Sequence, residues 1–290
     1  MVAKLNFPKQ FPKQHQNKKP GEEAQMNPKP VYELENYHKP SQRLKDKVAL
    51  ITGGDSGIGK AISILYAKEG AKVAISYLDE DTDAKNTKAR IEALGGEARI
   101  YKGDISNEDF CKQLVNSVIH DFGCINIFIG NAGEHYPQNG ILDISTEQLM
   151  KTFNINVFSN FYLTKEISPK MSYGDSIIFT TSITAYSGNE TLLDYSATKG
   201  AMTSFTRSLA KNLSQEGIRV NAVAPGPIWT PLIVASMTEE EVSKFGNKTP
   251  IGRAGQPVEL AEAYVFLASD SASFITGETI HVNGGEMANG

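Results

Sequence analysis

From Leu44 onward, short apolar runs alternate with segments of helical periodicity, and this alternation restricts the fold more than any other feature. The runs are KVALIT (47–52), AKVAISY (71–77), ARIYKGD (98–104), INIFIGNAG (125–133), SIIFTTS (176–182), IRVNAVAPG (218–226) and TIHVNGG (279–285). They are continuous rather than alternating, the pattern of strands buried on both faces. The expected class is therefore α/β: one doubly wound parallel sheet of about seven strands with helices on both faces. Helices are expected to follow Gly57, ending at Gly70, and over about 80–95, 107–122, 146–171, 195–215 and 257–268.

Residues 1–44 have a different texture. They hold six of the 13 prolines, one of the 25 glycines, and eight Lys or Arg against four Glu and no Asp. Such a stretch forms no amphipathic stripe. Two readings stay open: a mobile tail, or an extended arm on its own body or a neighbouring subunit, anchored by Phe7, Phe11, Val31, Tyr32, Leu34 and Tyr37. Residues 45–290 form the expected domain. A net charge of −4 argues against a nucleic-acid coat. No apolar run approaches a membrane span, and the first residues lack the apolar core of a secretory signal, so a cytoplasmic protein without a membrane partner is expected. The five histidines and two cysteines show no metal-ligand spacing, and no metal is expected.

The first strand leads into TGGDSGIG (52–59), which carries Gly53, Asp55, Ser56, Gly57, Ile58 and Gly59. A glycine turn opening a helix presents unpaired N–H groups and a positive dipole end, which suit a pyrophosphate. At the second strand's end an acidic residue binds the free ribose hydroxyls of NAD, whereas an arginine accommodates the phosphate of NADP. Here Tyr77 and Leu78 occupy those places, with Asp79, Glu80 and Asp81 just beyond. That acidity favours NAD over NADP.

Tyr195 and Lys199 stand four residues apart, on one helical face. A phenol titrates near ~10 and exchanges protons best near 7; the gap is ~4 kcal/mol. An ammonium ~4 Å away, at an effective dielectric of ~20, supplies about that much. Of the 11 tyrosines only Tyr195 has a lysine at this spacing. Ser182 ends the fifth run, and Asn131, Ala132 and Gly133 end the fourth. Both lie on the carboxyl edge, where open parallel sheets bind ligands.

Together these motifs resemble the short-chain dehydrogenase/reductase family over about residues 45–286. Thr52, Gly53, Gly57 and Gly59 match its TGxxxGxG pattern, and Asn131-Ala132-Gly133 its NAG motif. Asn156, Ser182, Tyr195 and Lys199 match its catalytic set, and Pro225-Gly226 its PG motif, with Thr230 shortly after. The long arm and TPIGRAGQP resemble a bacterial subgroup around glucose/ribitol-type dehydrogenases, general stress proteins and aldehyde reductases. The resemblance implies a Rossmann-like fold, NAD or NADP as cofactor and a homotetramer. It also implies hydride exchange with a small carbonyl or alcohol substrate. Tyr195 is then the general acid/base, Lys199 lowers its pKa and binds the nicotinamide ribose, Ser182 holds the substrate oxygen, and Asn156 supports a proton relay. Asp104 contacts the adenine, and Ile105 and Ile228 join the implied cofactor contacts.

His135, Tyr136, Thr184 and Tyr186 follow strand ends and are the expected substrate contacts. The segment 229–249 is the expected substrate lid. A reading from another class is a nucleotide-binding redox sensor or scaffold without turnover. The epimerases and dehydratases of this fold are disfavoured, because they usually carry an additional C-terminal domain that is not seen here.

Overall fold

Val48–Thr52 (β1) is buried at every position, and alternate residues leave it in opposite directions. Ala49 and Ile51 join one apolar cluster and Val48 and Leu50 another. One strand therefore feeds two cores, which is why its sequence is apolar without alternation. The same division recurs at β5 (Ser176–Thr180), where Ile178 faces the first cluster and Ile177 and Phe179 the second.

A computed structural model describes residues 7–34 and 39–286. The other strands are β2 (Lys72–Tyr77), β3 (Ala98–Lys102), β4 (Ile127–Gly130), β6 (Arg219–Pro225) and β7 (Thr279–Val282). They make one seven-stranded sheet in the order β3-β2-β1-β4-β5-β6-β7, and every pairing is parallel. Leu50 sits opposite Ala74 on one side and Phe128 on the other. The order reverses between β1 and β4, which opens a crevice at their carboxyl ends.

Ten helices are present among the described residues: α1 (Gly57–Lys68), α2 (Asp81–Ala93), α3 (Glu108–Phe122), α4 (Thr146–Phe153), α5 (Ser159–Ile167), α6 (Thr184–Ser187), α7 (Leu193–Leu213), α8 (Pro231–Ser236), α9 (Glu239–Ser243) and α10 (Val258–Ala268). Tyr66 of α1 and Tyr264 of α10 fill one core; Val115 of α3, Leu163 of α5 and Met202 of α7 fill the other. Helix α3 shows how local sequence sets the ends. The Asn107 side chain accepts from the amides of Asp109 and Phe110, and Gly123 closes the helix at φ 87°.

The expected single helix over 146–171 is interrupted. Residues Asn154–Phe158 form a π turn between α4 and α5. The wide turn accommodates Asn156, whose side chain bonds outside the helix.

The described part of the arm lies on the body. Phe11 stacks on Trp229 with ring centres 3.7 Å apart, and the Trp229 indole donates to the Pro28 carbonyl at 2.9 Å. Both rings belong to a third apolar cluster with Met26, Ile233, Val234, Val242 and Ala254. Further along, Val31 exchanges backbone bonds with the Gln256 side chain (2.8 Å) and the Val258 amide (3.0 Å). Phe7 is buried under Arg253, and Tyr32 lies beneath the Lys60 ammonium, 3.9 Å from its ring centre. Leu34 is half-buried, and Tyr37 lies outside the described residues.

Phe11→Ala removes a buried ring that no other side chain replaces. It is expected to lower stability by ~3 kcal/mol in urea denaturation, while Phe274→Ala, at a fully exposed ring, changes it by less than ~0.5 kcal/mol.

Candidate active site

The crevice at the carboxyl edge opens into a cavity of about 650 Å³. Its floor is stitched across the switch point by short polar side chains. The Thr52 hydroxyl accepts from the amides of Asn131 (3.0 Å) and Ala132 (3.1 Å) and donates to the Ile129 carbonyl. Asn131 returns its Nδ2 to the carbonyls of Thr52 (3.1 Å) and Gly53 (3.3 Å).

Gly53, Asp55, Ser56, Gly57 and Ile58 line one end of the cavity. Gly57 turns at φ +51°, with the Thr230 methyl against its open side. Gly59 is not at the wall. A Cβ there would fall 1.9 Å from the Gly53 carbonyl, so its lack of a side chain serves loop packing. Tyr77, Leu78, Asp104 and Ile105 close this end, and Ala132, Gly133, Pro225, Gly226, Ile228 and Thr230 continue the wall. The Tyr77 hydroxyl donates to Asp81 at 2.9 Å and is thereby engaged.

Glu80, which sequence reasoning placed only in a general acidic stretch, lines this end too. It is buried, and its Oε1 has no hydrogen-bond partner among the described residues. Burial pushes the Asp55 carboxyl up to about 7, with further push from Asp83 and Glu23, and Glu80 is raised by burial with Asp79 and Asp55 adding to it. The nearby bases are engaged: Lys60 is buried in an ion pair with Glu23 of the arm, which also accepts from the Gly57 amide at 2.9 Å, while Lys18 pairs with Asp79 at 3.4 Å and Lys102 with Asp81 at 2.9 Å. An open turn, a cavity longer than a single sugar, and an orphaned carboxylate oxygen fit a bound dinucleotide with ribose hydroxyls at this end.

At the other end stand Ser182, Thr184, Tyr195, Lys199 and His135. Ser182 lies two residues beyond the end of β5 rather than on it. Its oxygen accepts from the amide and hydroxyl of Thr184 at 3.2 and 3.1 Å. Asp194 sets the start of α7: its carboxylate accepts from the Tyr195 amide (2.8 Å), the Thr152 hydroxyl (2.8 Å) and Gln148 (3.0 Å). The Lys199 ammonium donates to the Thr180 carbonyl at 2.8 Å and lies 5.4 Å from the Tyr195 ring centre. The His135 ring meets Tyr195 edge-on at 5.2 Å and bonds to the Ser236 hydroxyl. Burial, then the charges of Lys19 and Lys199, hold this imidazole down to about 3, so it is neutral.

Three expectations are corrected here. The phenol of Tyr195 is raised to about 12, not lowered, because desolvation dominates and only the Ser182 hydroxyl opposes it. Lys199 is itself brought down to about 8 by the same burial. Tyr136 does not line the cavity: its hydroxyl is turned to Glu134, and its ring faces Lys19 and Lys151. Tyr186 points away too, packing edge-on against His281 at 4.6 Å. Asn156 lies beneath the wall. It holds both backbone atoms of Glu134, at 2.9 Å each, and donates to Thr198 at 3.1 Å. Sequence reasoning missed the arm's contribution, Lys19, Pro20 and Gly21, which line the same cavity.

A family model described as enoyl-(acyl carrier protein) reductase matches residues 53–286. General stress protein 39 of Bacillus subtilis (strain 168) is 55% identical over 282 residues, covering 97% of this chain and 98% of that protein. The chain belongs to the short-chain dehydrogenase/reductase family. It is also 46% identical to the NADPH-dependent aldehyde reductase 1, chloroplastic, of Arabidopsis thaliana, over 96% of this chain and 98% of that one. A short-chain dehydrogenase from Burkholderia cenocepacia J2315, crystallised in complex with NADP, superposes with a TM-score of 0.79 at 29% identity and covers 84% of this chain and 98% of that one. The protein is thus an oxidoreductase of this family using a nicotinamide adenine dinucleotide. The expectation of NAD in particular is not supported by these names, which specify NADP or NADPH. Among the described residues no helix is long and apolar enough to cross a membrane.

Replacing Asn156 by Ala strands the Glu134 amide and carbonyl in a buried site. The expected loss is ~2 kcal/mol of stability, read by urea denaturation.

Proposed function

We propose that this protein reduces small aldehydes or ketones to alcohols, with Tyr195 as the proton donor. The observation that carries this is the half-buried phenol beside Ser182 in a dinucleotide-sized cavity. A phenol held at about 12 keeps its proton at neutral pH. An alkoxide is a stronger base than a phenolate, so transfer from Tyr195 to the nascent alcohol runs downhill. At neutral pH the phenol therefore carries its proton, the form that reduction draws on.

Ser182 orients the carbonyl oxygen beside the phenol and stabilises its developing charge. Lys199, fixed on the Thr180 carbonyl, holds the cofactor ribose and lends positive charge to the site. Asn156 keeps Glu134 and the Gly133 loop in place, so the loop presents His135 to the substrate. His135 is neutral and bonded to Ser236, a wall that links the substrate end to α8. The bound nicotinamide supplies the hydride. Residues 229–249, carrying α8 and α9, act as the substrate lid and exclude water from the reacting atoms. Assembly as a homotetramer is supported by the half-exposed Phe161, which stacks on Phe205 of α7 at 3.9 Å and leaves an aromatic face outward.

Both nucleotides are accepted. The NADPH named for the plant relative supports the phosphorylated form, while the buried carboxylates of Asp55 and Glu80 oppose a 2′-phosphate and favour free hydroxyls. Those two acids thus set the ratio.

Two measurements test the proposal. Tyr195→Phe is expected to reduce aldehyde-dependent oxidation of NAD(P)H by at least ~10²-fold while nucleotide binding, followed by fluorescence, persists; undiminished turnover would refute the acid role. The double variant Asp55→Asn, Glu80→Gln is expected to raise the NADPH:NADH ratio of kcat/KM by roughly tenfold, about 1.4 kcal/mol of relieved repulsion. A constant ratio would remove these acids from nucleotide selection.

A further inference from the structure

The arm brings a cation into the substrate end of the cavity, and nothing in the hydride-transfer chemistry above requires it. Residues 16–22 form a turn clasped by one side chain. Gln16 donates to the Glu22 carbonyl at 2.9 Å and accepts from the Glu22 amide at 2.7 Å, and its own amide donates to Val234 of α8 at 2.7 Å. Gly21 packs so closely on α8 that a Cβ would lie 2.6 Å from the Pro231 carbonyl. This clasp fixes Lys19 between the lid and the loop after Gly133.

The Lys19 ammonium donates to the His135 carbonyl at 3.3 Å and lies 4.2 Å from the centre of the Tyr136 ring. It makes no ion pair among the described residues. The nearest acid, Glu134, is engaged by the Tyr136 hydroxyl and by Lys151 at 3.6 Å. Burial lowers the ammonium's pKa, opposed by the charge of Glu134. The backbone it touches belongs to His135, whose ring packs against Tyr195. A half-buried cation without an ion-pair partner among the described residues, bonded to the backbone of the residue whose ring meets Tyr195, suits a ligand anion.

We propose that Lys19 is a specificity-determining residue that binds an anionic group, a carboxylate or phosphate, on the carbonyl substrate. The proposal rests on the reductase reading above and narrows it: the favoured substrates are aldehydes or ketones carrying a negative charge. The α-helical lid and the arm close on that charge together, because Lys19 and α8 are held by the same turn.

The test compares matched aldehydes on the full-length protein: 4-carboxybenzaldehyde against 4-methylbenzaldehyde for the carboxylate, and glyceraldehyde 3-phosphate against glyceraldehyde for the phosphate. The readout is the charged-to-neutral ratio of kcat/KM, with the dissociation constant of NADPH measured beside it. The wild-type ratio is expected to exceed about tenfold for at least one pair, the yield of one charge-assisted hydrogen bond. That ratio falls to near one in Lys19→Met and survives in Lys19→Arg. Whichever pair shows the preference identifies the anion. A wild-type ratio near one for both pairs overturns the proposal. So does a ratio unchanged in Lys19→Met, or a variant whose only defect is weaker NADPH binding, which would make Lys19 a cofactor ligand. If the wild type binds NADPH but turns over no aldehyde, the reductase reading itself fails and this proposal with it.

Discussion

All seven strands run in one direction, so every strand empties at the same edge. That constraint brings Thr52, Tyr77, Asn131, Thr180 and Pro225 to one crevice although they are spread through the chain. A parallel sheet must also be covered on both faces, since its strands cannot be joined by tight hairpins. The covering helices then start where the strands end. Helix α1 therefore begins at the glycine turn, and α7 presents Tyr195 and Lys199 from its first two turns. Site geometry here follows from strand direction and needs little further specification. What the polar stitching of Thr52 and Asn131 adds is register: it prevents β1 and β4 from sliding apart where the sheet order reverses.

Closure of the cavity governs its electrostatics. Residues of the arm and of 229–249 share the cavity wall with Tyr195, Lys199, His135 and Asp55, and burial acts on all four. Each titratable group then moves toward its neutral form: the phenol and carboxyl up, the lysine and imidazole down. A pairwise argument between Tyr195 and Lys199 keeps the attraction and omits this desolvation, the largest influence on the phenol here. The lysine's position reinforces the point, since it bonds to the Thr180 carbonyl rather than to the phenolic oxygen. A neutral site suits proton donation to an alkoxide, and it makes any uncompensated charge within it conspicuous.

Legibility in the sequence followed from where each residue's partners lie. The strands were readable because burial on both faces leaves only apolar side chains, and β1 to β7 lie within the predicted runs. Ser182, Tyr195 and Lys199 were readable as neighbours because they follow β5 and open α7. The π turn at Asn154–Phe158 was not, because FNINVFS keeps ordinary helical periodicity and one inserted residue leaves no compositional trace. Tyr136 and Tyr186 were placed at the cavity by proximity to strand ends, but a single rotation of each side chain sends it to Glu134 or His281 instead. The arm was least readable. Its partners are scattered along the chain, from Lys60 for Glu23 to Trp229 for Phe11, and its own composition is that of an unstructured tail.

The arm's chemistry separates two tasks that its sequence blends. Phe11 and Met26 contribute apolar burial, which holds the strap on the lid without specifying what lies beneath. Glu23 is different. Its carboxylate is buried against Lys60 and the Gly57 amide, at the mouth of α1, where its desolvation cost is met by a charge and a helix dipole. An arm without Glu23 would leave the Lys60 ammonium buried without its ion-pair partner. The ion pair therefore fastens the strap to α1, while Lys19, four residues earlier, lines the cavity. Within five residues the arm thus places an acid against α1 and a cation at the cavity wall, two charges of opposite sign fixed on a sheet that is complete without them.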